Sequence, residues 1–97
     1  MYALVGRVEI KPGHEEVTAM MARDHGPSLV SGMSGNKAAY WARALDDHGN
    51  VIQHSFWRFE TEEDARAAET VFCSLREIPE APADFVSAEV CEVIAAM

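Results

Sequence analysis

The feature that most limits how this chain folds is a turn between two runs of β-forming residues. Asp47-His48-Gly49 separates Lys37 to Leu45 (KAAYWARAL) from Val51 to Phe59 (VIQHSFWRF). A three-residue hairpin loop needs a left-handed residue, and Gly49 takes that conformation without a steric cost. The second run is dense in Val, Ile, Phe and Trp and reads as a strand. The loop then assigns the first run as its partner, although its four alanines would also suit a helix. Pairing Asp46 with Asn50 sets the register: Leu45 faces Val51, Arg43 faces Gln53, Trp41 faces Ser55 and Ala39 faces Trp57. Both tryptophans then lie on one face of the ribbon, and a slip of one residue would separate them.

The remaining elements follow from periodicity and breakers. Tyr2 to Ile10 (YALVGRVEI) carries no polar side chain beyond a phenol on its even positions, while Arg7 and Glu9 fall on odd ones, as in a strand with one dry face. Lys11-Pro12-Gly13 ends it. Glu15 and Glu16 suit the positive end of a helix dipole, and Val17, Met20 and Met21 continue a helical stripe, so a helix is expected from about His14 to His25, with Gly26-Pro27 stopping or kinking it. Ser28 to Asn36 is ambiguous, between a further helical turn and a Gly-rich connection. Thr61 is a good N-cap, followed by Glu62, Glu63 and Asp64 and an apolar stripe of Ala65, Ala68, Phe72 and Leu75. Pro79 and Pro82 end this second helix, and Phe85 to Ile94 forms a last strand. The order β-α-β-β-α-β is the split βαβ plan of an α+β fold: a four-stranded antiparallel sheet with both helices on one face.

Composition bounds what such a sheet can serve. The 97 residues are expected to form one domain, 1–97, with 48% apolar residues for a core. Sixteen acids against eight bases give a net charge of −8, which disfavours nucleic acid and anionic membrane as partners. No run is long enough to span a bilayer and no signal-peptide layout opens the chain, so a cytoplasmic protein is expected. Cys73 and Cys91 have no metal-ligand spacing, the four histidines are scattered, and no metal site is expected. The helix-free sheet face carries Ala3, Val5, Ile52 and Phe56, an apolar patch that implies a homodimer formed sheet to sheet, with Arg7, Glu9, His54 and Arg58 paired among themselves or across the two-fold.

With Ile10-Lys11-Pro12-Gly13-His14-Glu15-Glu16 closing the first strand, and Phe56-Trp57-Arg58-Phe59 leading into Thr61-Glu62-Glu63-Asp64-Ala65, the chain resembles antibiotic biosynthesis monooxygenase-like domains of the dimeric α/β-barrel, ferredoxin-like superfamily. The resemblance covers nearly the whole chain and implies a cavity between sheet and helices, lined by the Trp at position 57. Members include cofactor-independent oxygenases of quinol-like substrates and haem-degrading enzymes. The haem branch carries an Asn on the first strand and an iron-ligating His on the second helix. Here Gly6 stands at the first position and no His lies between Thr61 and Ile78, so only Trp57 matches and haem degradation is disfavoured.

The register collects Gly6, Trp41, Arg43, Gln53, Ser55 and Trp57 on the helix-facing side. Gly6 would make space there, and the indoles could clamp a planar ring. Arg43 in an apolar cavity would stabilise a phenolate or enolate, His25 could be the base that forms it, and Asn36 and Gln53 could donate to a substrate carbonyl. Each residue also has a structural reading. The tryptophans fit core filling, His25 fits a helix end, and Arg43 fits a rim position or a pair with Asp24. The functional expectation is a monooxygenase acting on a planar phenolic or polycyclic substrate without any cofactor; the alternatives are a non-catalytic small-molecule-binding barrel and, more weakly, an isomerase or cyclase.

Overall fold

The computed structural model describes residues 1–97. Its elements run β1 (Tyr2–Ile10), α1 (Glu15–Ser31), β2 (Asn36–Leu45), β3 (Val51–Phe59), α2 (Glu62–Cys73), a 3-10 turn (Ser74–Glu77) and β4 (Ala83–Glu92). The four strands form one antiparallel sheet in the order β2-β3-β1-β4, with β1 and β3 central. This is the ferredoxin-like arrangement expected from the order of elements. The hairpin register is the one its loop dictates: Leu45 pairs with Val51, Arg43 with Gln53, Trp41 with Ser55 and Ala39 with Trp57. Gly49 takes φ +81°, and the Asp46 N–H closes the turn on the Asn50 carbonyl at 2.9 Å.

The core lies between the sheet and α2. Leu4, Val8 and Ile10 on β1 meet Trp57 and Phe59 on β3 and Ala65, Ala68 and Phe72 on α2, with Val30 of α1 closing one end. Thr61 caps α2 as expected, its hydroxyl oxygen accepting from the Asp64 N–H. Small Ala65 and Ala68 let α2 approach the sheet closely. Gly6 does likewise from below, since the Phe72 ring occupies the place a side chain at Gly6 would take.

Helix α1 departs from the sequence reading. It runs through Gly26-Pro27 to Ser31 instead of ending at His25. Pro27 removes one i→i−4 donor, leaving the Arg23 carbonyl without its usual partner, but the turn beyond it is anchored by fully buried Val30. Tertiary burial outweighs the local breaker. Strand β4 also begins two residues earlier than Phe85, at Ala83, whose carbonyl neighbour Pro82 accepts from the Lys11 N–H at 3.0 Å.

Candidate functional site

Helix α1 is buried only near its ends, at Thr18 and Val30. Between these points it stands off the sheet. Trp41 acts as the spacer: a Cβ added at Gly26 would fall 2.8 Å from the Trp41 ring, so the helix rests on the indole through a residue with no side chain. A cavity of 380 Å³ results, bounded by α1, the sheet, the end of α2 and the Ile78–Ala83 connection. That volume lies within the roughly 300–1,000 Å³ of small-molecule sites. Of its 20 lining residues 14 are hydrophobic, and the polar ones include Thr18, His25, Gln53 and Ser55.

One wall is a continuous aromatic series. Trp41 meets Trp57 edge-on with centroids 6.4 Å apart, Trp57 meets Phe72 at 5.7 Å, and Phe72 meets Phe85 at 6.0 Å. The first two contacts are edge-on and the third is tilted at 55°, arrangements in which aromatic pairs attract beyond the area they bury. Trp57 is 5% exposed, and its indole N–H is buried without any hydrogen-bond partner. A buried donor left unmatched costs about 1–3 kcal/mol, a cost the packing around Trp57 has to offset.

The residues expected at the site divide into two groups. Trp41, Gln53, Ser55, Trp57 and His25 all line the cavity. Arg43, Gly6 and Asn36 do not. Arg43 is on the helix-facing side, but its guanidinium is held by the Gln53 Oε1 at 2.9 Å, the Glu15 carbonyl at 2.7 Å and the Thr18 hydroxyl at 2.6 Å. It fastens the start of α1 to the sheet. The same tie spends the Gln53 oxygen, while the Thr18 hydroxyl donates to the His14 carbonyl at 2.7 Å. Asn36 bridges the irregular start of β2, donating to the Ala38 and Arg58 carbonyls at 3.1 and 3.2 Å. The space opened by Gly6 is filled by Phe72.

Residues that the sequence did not assign to the site complete the lining: Met21 and Leu29 from α1, Val71 and Leu75 from α2 and the 3-10 turn, and Ile78 beyond it. All five are 40–55% exposed, so the mouth between the helices has an apolar rim. Their exposure on two facing helices could not be read from either stripe alone. Glu15, at the N-terminal end of α1, has its carboxyl held below the ordinary range by the backbone N–H groups of Glu15 and Gly13, with His14 and the Arg43 guanidinium adding to the effect. No three of His, Cys, Asp and Glu gather where a metal ion could be held by side chains alone.

Comparison with known proteins sets this geometry beside a solved relative in fold. No protein-family model matches the chain, and no curated protein matches it. Among solved structures, an Arg-to-Ser mutant of MhuD with two manganese protoporphyrin IX molecules bound per active site is similar at a TM-score of 0.63 and 14% identity, over 100% of this chain and 98% of that one. This finding overturns the sequence reading that favoured a cofactor-independent phenol oxygenase, or a barrel binding some other small molecule, and set haem aside. The absence of two motif residues decided that reading, whereas the structure matched end to end is that of a protein with porphyrins in its own active site. The likeness itself establishes the ferredoxin-like α+β fold.

Proposed function

We propose that the cavity binds haem as a substrate and that the chain is a haem-degrading monooxygenase of the antibiotic biosynthesis monooxygenase-like type. The observation that carries this reading is the aromatic wall along an apolar cavity, in a fold shared with a porphyrin-binding protein. A flat macrocycle has the broad apolar faces this wall is built to meet. The donor set fits as well. A metal that arrives within a macrocycle needs only one or two further ligands, and His25 is the one imidazole lining the cavity. Haem supplies the iron at which dioxygen chemistry takes place, with electrons from an external reductant. The chain's part is to hold the ring against Trp41 and Trp57, to present the imidazole of His25 to the metal and to exclude water with the rim of Met21, Leu29 and Leu75.

Two copies are proposed to pair through the helix-free sheet face. Supporting this, Tyr40 is 60% exposed and stacks on Phe56 with centroids 4.8 Å apart, and the Arg58 Nε on the same face is buried without a partner. The Arg7–Glu89 pair at 3.0 Å already neutralises one cation there.

Titration with haem tests the main reading. Saturable quenching of the two tryptophans together with a shifted Soret band is expected, and His25→Ala should keep the quenching while changing the Soret position and intensity. Loss of the Soret band on adding reductant and oxygen should follow. Wild-type protein that shows no saturable change with haem would sink the reading.

A further inference from the structure

The aromatic wall of the cavity ends in a cation. Beyond Phe85 lies Arg76 of the 3-10 turn, its guanidinium carbon 4.8 Å from the centre of the Phe85 ring and its Nε donating to the Cys73 carbonyl at 3.4 Å. Stacking and this hydrogen bond orient the planar group and leave its two terminal nitrogens available. Of the eight bases, Arg7, Lys11, Lys37 and Arg66 are each matched to a carboxylate, at 2.9 to 3.7 Å, and the other four, Arg76 among them, are matched to none. Among those four, Arg76 is the one stacked on a ring of the cavity wall. Arg76 itself is exposed, but its neighbours Leu75 and Ile78 and the Phe85 ring beneath it all line the cavity, so the guanidinium stands beside the opening.

We infer that Arg76 is the carboxylate-binding residue of this site: the ligand enters with its apolar body against the tryptophans and a carboxylate toward the 3-10 turn. This rests on the porphyrin reading and narrows it to a ring bearing acidic side arms, the propionates in the case of haem. An arginine fork pairs two parallel N–H donors with two carboxylate oxygens, which gives direction as well as affinity. Seated at the edge of a low-dielectric cavity, such a contact is screened less than one in open water.

The test uses metal-free protoporphyrin IX and its dimethyl ester, followed by quenching of Trp41 and Trp57, so that iron ligation plays no part. The wild-type chain is expected to bind the acid about tenfold more tightly than the ester. Arg76→Gln should weaken acid binding by about that factor, leave the ester unchanged and so close the gap. Equal binding of acid and ester by the wild-type chain, or a variant that weakens both alike, overturns the assignment while the porphyrin reading stands. Saturable binding of neither removes both.

Discussion

At the scale of the residue, the site depends on what small side chains allow. Gly26 shows how competing terms decide a sign. In an exposed helix interior, glycine to alanine gains about 1 kcal/mol from propensity alone. Here the added methyl would lie 2.8 Å from the Trp41 ring, which sits in a packed wall, and overpacking of that kind costs about 1–3 kcal/mol. Gly26→Ala is therefore expected to lower the midpoint of urea unfolding despite the better helix former, and to weaken porphyrin binding by shifting Trp41. Arg43 marks the limit of reading residues from sequence. The register placed it on the helix-facing side, but its three acceptors come from Gln53, from Glu15 and from Thr18, the last two more than twenty residues earlier in the chain. No local pattern announces such a partner. Trp57 was legible because its facing follows from the hairpin register alone.

At the scale of the element, the hairpin was the most legible part because turn chemistry is local. Asp46 reinforces it: its carboxylate accepts from the His48 N–H at 2.9 Å and the Asn50 N–H at 2.8 Å. The Asn50 N–H is the largest cause holding this carboxyl below its ordinary range. Folding thus favours the charged form. The contribution is present above the unfolded-state value and is lost as pH falls through the lower folded-state value. The stability difference between wild type and Asp46→Ala should shrink as thermal melts are taken to more acid pH; a constant difference would contradict this account. Helix α1 was the least legible element. Gly26-Pro27 is a strong local stop, and what carries the helix past it is Val30 docking on the core, a long-range contact.

At the scale of the whole molecule, the order of elements and the presence of one dry face were readable, and the two-layer fold followed from them. The cavity was not readable in the same way, because it arises from a mismatch between layers. Helix α2 lies close on the sheet over Gly6, whereas α1 is propped up by Trp41. The opposite face offers its own check. No helix of this chain is long and apolar enough to cross a membrane, and the Tyr40–Phe56 surface is proposed to meet a second copy. Sedimentation equilibrium at micromolar concentration should give twice 10.7 kDa, and Phe56→Glu should give 10.7 kDa with an unchanged far-ultraviolet spectrum.

The way α1 is supported has a mechanical consequence. A beam carried on two piers can lift at midspan while the floor beneath it stays fixed. Thr18 and Val30 are those piers, the Trp41 indole touches the span from below at Gly26, and the strands beneath are locked by their own ladders. Guests of differing thickness could then be admitted by bowing the span, with the weak point of Pro27 as the place where it yields first.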